Sequence, residues 1–412
     1  MKSYTNTSLG SPSRALTFHP SVPTPSVPSN PKSTLLLLKL SHAALNPADL
    51  ALQRFLPPWL PFRSSPVPGL DFAGEVVAVG GGVGDDVKVG DRVCGAVGLK
   101  GVAAGRGALA EWIVVERAEV TKVPVREGWN GREVVGVTGI AGQTAAEMVR
   151  CVGEEGVKGR RVLVNGASGG VGSLVVQVLR GLRAEVVVGV CSAASEGLVK
   201  RLGAGEVVDY KADRALEERL RERFGEQPFD AILDCVGSQT LFSKSPGYLK
   251  PDGKFITIVG GWSQGVIPFV KNKMRPTFLG GTPRSYHLFL LSASGERAKE
   301  VADWVEQGVI KESLVDSEYP LEKAVEVCCH LHLCGSGVLN ADLVRHMRSW
   351  RPAEPRARLS SRLEATDHMG ACVSGAGLGI PHVIESGSGL DIVITGRYLF
   401  ITRVSSISVV VF

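Results

Sequence analysis

The pattern of hydrophobic and polar positions changes near residue 136. Before it, short β-prone runs at 3–7, 15–18, 34–40, 74–79, 91–96 and 110–115 are separated by Pro-rich or Gly-rich connections, as is typical of antiparallel strands. After it, continuous apolar runs alternate with segments of helical length. Apolar strands that alternate with helices indicate a parallel sheet covered on both faces. The pattern therefore predicts a β domain followed by a doubly wound α/β domain.

The second half predicts strands and helices in strict alternation. Strands are expected at 161–165, 185–190, 206–210, 229–234 and 254–259, and helices at 170–182, 196–202 and 215–224. Two more helices, at 299–307 and 321–332, are expected to return the chain to the first domain. Beyond residue 340 the sequence contains eight Arg and no Lys. We therefore divide the chain into a β-rich domain (1–135), a doubly wound α/β domain (136–268), a return segment (269–340) and a tail (341–412).

The tail allows two interpretations. Its polar, Arg-rich beginning favours an appendage that could be removed with little effect on stability. The alternative is that the β-prone segments 391–401 and 404–412 form a hairpin that pairs with a sheet edge.

Composition excludes several classes of protein. The composition is that of a globular protein, with a hydrophobic fraction of 44% and a charged fraction of 21%. The net charge is only +5 and no long basic run is present, so nucleic acid is not an expected partner. No apolar stretch is long enough to span a membrane. The eight scattered Cys predict reduced thiols in a cytoplasmic protein. The Ser/Thr/Pro-rich first 40 residues leave a mitochondrial leader open. The five prolines between Pro20 and Pro31 would break the amphipathic helix of such a leader, so short strands with a Pro-rich connection are favoured.

A Gly-rich turn carries the strongest prediction of chemistry. Residues 161–172 read Arg-Val-Leu-Val-Asn-Gly-Ala-Ser-Gly-Gly-Val-Gly, a strand that runs into a turn and then into a helix. Such a turn lets the backbone approach a pyrophosphate, which then lies against free N–H groups at the helix N-terminus. The predicted cofactor-binding residues of this turn are Gly166, Ala167, Ser168, Gly169, Gly170 and Val171.

The same residues fit the Gly-x-Ser-x-Gly nucleophile elbow of hydrolases. That interpretation also needs an upstream oxyanion motif of the His-Gly-Gly type, and the first 165 residues contain none.

The end of the second predicted strand indicates which dinucleotide binds. NAD-binding domains place an acidic residue there for the ribose 2′-hydroxyl, but this chain has Cys191-Ser192. Hydroxyl and basic groups nearby could accept a 2′-phosphate. NADPH is therefore predicted over NADH, and its predicted ligands at this strand end are Ser192, Ser195, Lys200 and Tyr210, with Arg201 and Lys211 close by.

Over about residues 1–340 the chain resembles the medium-chain dehydrogenase/reductases, and within them the zinc-free quinone oxidoreductase (zeta-crystallin-like) branch. Besides the segment 165–172, the resemblance rests on Ala43-Ala-Leu-Asn-Pro-Ala-Asp49, Pro68-Gly-Leu-Asp-Phe-Ala-Gly-Glu-Val76, Gly90-Asp-Arg-Val93, Gly107-Ala-Leu-Ala-Glu111, Leu202-Gly-Ala204, Val208-Asp-Tyr210 and Asp234-Cys-Val-Gly237.

The resemblance implies a Rossmann domain joined to a discontinuous, mainly antiparallel GroES-like domain. It implies NADPH-dependent hydride transfer to a small-molecule quinone or α,β-unsaturated carbonyl. Asn46 and Thr144 would flank the nicotinamide, and the backbone at Val259 and Gly260 would bind its carboxamide. For Asn46 the alternative is a turn residue before Pro47.

The resemblance also implies that no zinc is bound. Zinc-dependent members carry a catalytic Cys where Asn46 stands and Gly-His-Glu where 69–71 read Gly-Leu-Asp, and the four closely spaced Cys of their structural site are missing. Residues 328–334, Cys-Cys-His-Leu-His-Leu-Cys, offer only Cys328 and His332 on one helical face. A packed helix is therefore expected there.

Two features separate this chain from the family pattern. Arg54, Phe55 and Trp59 stand where a Tyr often lines the pocket, and 337–340 lack the usual Gly-Lys-Val-Val strand. No side chain is an evident proton donor, which leaves water for that step. A cofactor-binding sensor, structural protein or RNA-binding protein without turnover stays the alternative, and a homodimer stays open.

Overall fold

The computed structural model describes residues 1–27, 30–60, 63, 65–153, 156–258, 272, 279–289, 291–335, 384–386, 390–395, 398–401 and 407–411. The elements of its first half are β1 (Ser3–Asn6), α1 (Pro12–Ala15), β2 (Leu16–His19), β3 (Leu35–Leu45), α2 (Pro47–Phe55), β4 (Asp71–Val79), β5 (Arg92–Ala96), α3 (Leu99–Ala103), β6 (Trp112–Glu116), β7 (Val120–Lys122), α4 (Gly131–Thr138) and α5 (Ile140–Val152).

The second half continues in alternation. It contains β8 (Arg161–Asn165), α6 (Gly170–Gly181), β9 (Val186–Cys191), α7 (Glu196–Leu202), β10 (Glu206–Asp209), α8 (Leu216–Phe224), β11 (Phe229–Asp234), α9 (Gln239–Lys244), β12 (Leu249–Thr257), β13 (Ser285–Leu288), α10 (Gly295–Glu306), β14 (Ser317–Pro320), α11 (Ala324–Gly335), β15 (Ile384–Ser386), β16 (Leu390–Thr395), β17 (Tyr398–Ile401) and β18 (Ser408–Val411). Among the described residues, no helix is both long and apolar enough to cross a membrane.

Strands β8 to β13 form the predicted parallel sheet, in the order β10-β9-β8-β11-β12-β13. Its central strand shows why the strands are apolar throughout. Val162 and Val164 pack on the side of α5 and α6, whereas Leu163 packs on the side of α8 and α9. The edge strand β13 was not predicted, because its alternating exposed residues, Ser285 and His287, hide it among loop residues.

A second, seven-stranded sheet is mostly antiparallel. Six of its strands have the order β14-β18-β3-β4-β5-β7, and the seventh, β6, pairs with β3 outside that order. The long strand β3 organises it. Along one edge β3 pairs with β4, and along the other it pairs first with β6 and then with β18. The two predicted strands at the beginning of the chain, β1 and β2, pair with each other in a separate antiparallel ribbon. The two sheets confirm the predicted fold class.

Strand β18 corrects one expectation about the tail. It lies between β14 and β3, antiparallel to the former and parallel to the latter. Val409 and Val410 are fully buried, one in each of the two cores on opposite faces of the sheet. Residues 408–411 are therefore an internal strand of the first domain's sheet, so the expectation that the whole tail is a removable appendage is wrong for this segment. The alternative was right that this segment pairs with a sheet, but it placed the strand at an edge.

Residues 336–405 form a compact unit distinct from the unit made by 1–335 and 406–412. Its described strands β15, β16 and β17 make a small antiparallel sheet. The predicted hairpin partner at 391–401 thus pairs within this unit, whereas β18 pairs with the first domain.

Candidate active site

The Gly-rich turn joins the central strand β8 to helix α6 at the carboxyl edge of the parallel sheet. Gly166 has a positive φ of 80°, and a Cβ added at Gly172 would overlap the carbonyl oxygen of Gly166. The turn therefore requires glycine at both positions. Gly169 is the N-cap of α6, and its main-chain N–H donates to the carbonyl oxygen of Gly166 over 3.0 Å. The first main-chain N–H groups of the helix itself, which begins at Gly170, have no partner within the helix.

The side chains of the turn take different roles. Ala167 is fully buried in the core, and its main-chain N–H donates to the carbonyl oxygen of Val190 over 3.0 Å. Val171 is half-buried and packs partly against the same core. Ser168 is half-buried. The structure thus brings the predicted turn residues together as a backbone cradle.

A buried pair behind the turn holds it to the next strand. Asn165 donates from Nδ2 to Oδ1 of Asp234 over 2.9 Å, and the Asp234 carboxylate also accepts the main-chain N–H groups of 236, 237 and 238. Burial raises the pKa of Asp234. No role was predicted for Asp234, although an Asp at the end of an apolar strand was a visible sign in the sequence.

The end of β9 brings the two predicted serines together. The Oγ atoms of Ser192 and Ser195 lie 3.4 Å apart, and Tyr210 is half-exposed at the end of the neighbouring strand. Lys200 pairs with Glu196 over 2.7 Å on the same helix. Because an exposed pair of this kind is worth little, Lys200 is free to change partner.

The additional basic groups at this strand end are less available. Arg201 makes hydrogen bonds of 3.0 Å to both carboxylate oxygens of Glu312, and Lys211 lies 5.7 Å from the ring centroid of Tyr210.

Asn46 occupies the N-cap of α2 and is 6% exposed. Its Nδ2 donates to Oδ2 of Asp71 over 2.8 Å, and its main-chain N–H donates to Oδ2 of Asp49 over 2.7 Å. The turn role before Pro47 is therefore real, but the side-chain amide is held by a second, distant carboxylate. Burial raises the pKa of Asp49 to about 7.

Thr144 lies in α5 and is 5% exposed. It stands one helical turn after Ile140, whose main-chain N–H donates to Oδ1 of Asp71 over 2.8 Å. Asp71 thus joins the cap that carries Asn46 to the beginning of the helix that carries Thr144. No role was predicted for Asp49 or Asp71. The contacts of Asp71 join distant segments, whereas Asp49 stands three residues after the N-cap Asn46, so its capping spacing was a visible sign in the sequence.

Other predicted positions give a mixed result. Val259 and Gly260 lie outside the described residues. The segment at 328–334 lies within a helix, as predicted, and Cys328 is buried in the first domain's core. Among the residues that the structure describes, no group of three His, Cys, Asp or Glu side chains could hold a metal ion.

Comparisons with known proteins agree with this architecture. Residues 32–125 match the alcohol dehydrogenase GroES-like domain, and residues 202–331 match the family described as zinc-binding dehydrogenase. The chain is 32% identical to the medium chain reductase pydE of an Acremonium species, over 74% of this chain and 88% of the relative. It is also 32% identical to a chloroplast envelope quinone oxidoreductase homolog of Arabidopsis thaliana, over 74% and 87%.

Solved structures give the same picture. A mycobacterial protein solved in complex with NADPH aligns with a TM-score of 0.61 at 26% identity, over 80% of this chain and 96% of that one. The quinone oxidoreductase from Coxiella burnetii aligns with a TM-score of 0.63 at 23% identity, over 81% and 96%. The chain therefore belongs to the medium-chain dehydrogenase/reductase superfamily and, within it, to the quinone oxidoreductase-like branch of reductases.

Proposed function

We propose that this protein is an NADPH-dependent reductase that delivers hydride to a quinone or an α,β-unsaturated carbonyl without zinc. The observation that carries the proposal is the tight glycine turn between Gly166 and Gly172, which leads from β8 into α6 and aims the first main-chain N–H groups of that helix at the space a pyrophosphate would occupy. In this proposal, residues 136–268 bind the dinucleotide, and residues 1–135 and 269–340 bind the acceptor.

The residues at the end of β9 fit a 2′-phosphate better than a free 2′-hydroxyl. Two adjacent hydroxyls, on Ser192 and Ser195, offer donors, and Lys200 supplies a charge that is only weakly committed to Glu196. A carboxylate in place of Ser192 would repel the phosphate. These groups would hold the adenosine end of NADPH while the Gly-rich turn holds the pyrophosphate.

The acceptor side of the site lacks the ligands that zinc prefers. Asn46 and Leu70 occupy the positions of a thiolate and an imidazole in the zinc-dependent pattern, and neither side chain is a ligand of that kind. Quinones and enones are already electron-poor, so positioning does most of the work. When bound, the nicotinamide supplies the hydride, and Asn46 and Thr144 would orient the reacting partners. Water would supply the proton.

The test is NADPH oxidation by the purified full chain with a panel of quinones and enones. We expect turnover with at least one acceptor class and no change after treatment with a metal chelator. Binding of NADPH without oxidation by any acceptor would favour a sensor or structural protein. One tightly bound zinc per chain, with activity lost on chelation, would overturn the zinc-independent assignment.

Cofactor choice is tested by Ser192→Asp. Charge repulsion should weaken NADPH binding roughly tenfold or more and leave NADH binding equal or stronger, as measured by fluorescence titration. Ser13→Asp, which adds the same charge at an exposed position of the first domain, is the control. Equal NADPH affinity in both variants would reject the role of Ser192.

A further inference from the structure

Asp71 is a fully buried carboxylate, and both of its oxygens are used. Oδ2 accepts the side-chain amide of Asn46, and Oδ1 accepts the main-chain N–H of Ile140, each over 2.8 Å. The two donors belong to segments almost a hundred residues apart along the chain. One side chain at the start of β4 therefore fixes both the cap of α2 and the first turn of α5.

The chain provides space for this carboxylate. Gly139 precedes α5, and a Cβ added there would overlap the Asp71 carboxyl group. The carboxylate also lies at the positive end of a helix of 13 residues, which stabilises a negative charge. Asp71 is thus placed as an anion that accepts two N–H donors.

A second buried carboxyl group lies beside it. Asp49 accepts the main-chain N–H of Asn46 through Oδ2, whereas its buried Oδ1 has no hydrogen-bond partner among the described residues. Burial, and then the Asp49 charge, raise the pKa of Asp71, because two carboxylates at one buried site disfavour each other's charge. The Cys328 thiol of α11 also faces this site, and burial followed by the Asp49 charge raises its pKa.

The hydrogen bonds decide which carboxyl group is charged. Asp71 receives two N–H donors and the helix N-terminus, all of which favour the anion. At Asp49 the buried Oδ1 has no hydrogen-bond partner among the described residues, so a proton there leaves no N–H donor unpaired. The hydrogen-bond geometry therefore favours the negative charge on Asp71 and the proton on Asp49.

We propose that Asp71 is a positioning residue of the reductase, which holds the Asn46 amide and the helix that carries Thr144 in the orientation required for hydride transfer. The inference rests on the proposed function, since Asn46 and Thr144 act there as the groups that orient the reactants. It adds that their mutual geometry depends on one anionic side chain that itself touches neither cofactor nor acceptor.

The test is Asp71→Asn. An Asn side chain offers only one oxygen acceptor, so one of the two N–H donors would face an NH2 group. We expect kcat to fall roughly 100-fold while KM for the acceptor changes little. Asp49→Asn, which resembles the protonated acid, should cause a much smaller loss of kcat.

The matched control is Asp230→Asn. Asp230 also accepts a main-chain N–H, that of Arg161, over 2.8 Å, together with the ammonium group of Lys250. It lies at the amino-terminal edge of the parallel sheet, opposite to the edge that carries the Gly-rich turn. This variant should lose stability and keep kcat.

Gly139→Ala is a second way to disturb Asp71, because the added methyl group displaces the Asp71 carboxylate without changing its chemistry. It should lower kcat as Asp71→Asn does.

A readout on the cofactor-free protein separates this inference from the proposed function. Melting temperatures of Asn46→Ala, Asp71→Asn and the double variant should be strongly non-additive, because the two side chains share one hydrogen bond. If the unmodified chain reduces no acceptor, the proposed function fails whatever this cycle shows. Additive melting temperatures, or equal losses of kcat in Asp71→Asn and Asp230→Asn, would overturn the positioning role.

Discussion

The two large sheets differ in how far apart their strands lie along the chain. All six strands of the parallel sheet come from residues 161–288. The seven-stranded sheet combines strands from 35–122 with Ser317–Pro320 and Ser408–Val411. The first sheet is specified by a nearly continuous local sequence, whereas the second is complete only when distant segments meet.

The largest effect is expected from a substitution in β18, which should destabilise the seven-stranded sheet and leave the parallel sheet intact. Val409→Asp would bury a carboxyl group among apolar side chains of the first domain's core, at a cost of about 3 kcal/mol or more. We expect a large fall in melting temperature. Hydrogen exchange should accelerate in β3 and β14, while β8 and β11 keep their protection.

The control for that variant is Val125→Asp, because Val125 is 86% exposed and the same charge should be tolerated there. Equal loss of protection in both sheets would show that they unfold as one unit. An unchanged melting temperature for Val409→Asp would show that β18 contributes nothing to stability.

A second variant changes only the edge of the parallel sheet that carries the Gly-rich turn. Gly172→Ala places a methyl group against the Gly166 carbonyl oxygen, so the turn must open. NADPH binding should weaken more than ~10-fold, or at least about 1.4 kcal/mol, with exchange in β3 to β7 unchanged. Gly197→Ala on α7 is the control, since no heavy atom lies within 4 Å of the added Cβ. Similar affinities in the two variants would contradict the cradle.

The smallest expected effect concerns pH. The pKa of Asp49, raised by burial to about 7 from 3.8, means that the folded chain holds a proton which the unfolded chain releases. This contribution to stability is complete below the unfolded pKa and is lost as pH rises through about 7.

Asp49→Asn removes that titration. The melting temperature of the unmodified chain, relative to this variant, should therefore fall between about pH 4 and pH 8. Exposed Asp252, changed to Asn, should leave the pH dependence as it is. A difference that stays constant with pH would show that Asp49 does not titrate in this range.

Features formed by consecutive residues could be predicted from the sequence, whereas features formed by distant segments could not. The Gly-rich turn, Ser192 and Ser195 were predicted because consecutive residues define a strand, a turn and a helix. The role of Asp71 was not predicted, because a carboxylate that binds Asn46 and Ile140 has no local pattern. Local sequence indicated that 404–412 is β-prone, but it could not indicate that β18 lies between β14 and β3. Edge strand β13 was missed for another reason, since its mixed polarity resembles a loop.

The pairing of β18 with β3 also sets a delay during synthesis. Leu45 is opposite Val411, so this part of the sheet cannot form until hundreds of later residues have been made, on the order of 20 to 70 seconds at the usual rate of translation. Throughout that interval the apolar edge at Ala43, Ala44 and Leu45 has no strand beside it. A nascent chain in this state therefore exposes an unpaired, apolar strand edge, the kind of surface through which incomplete chains associate with one another.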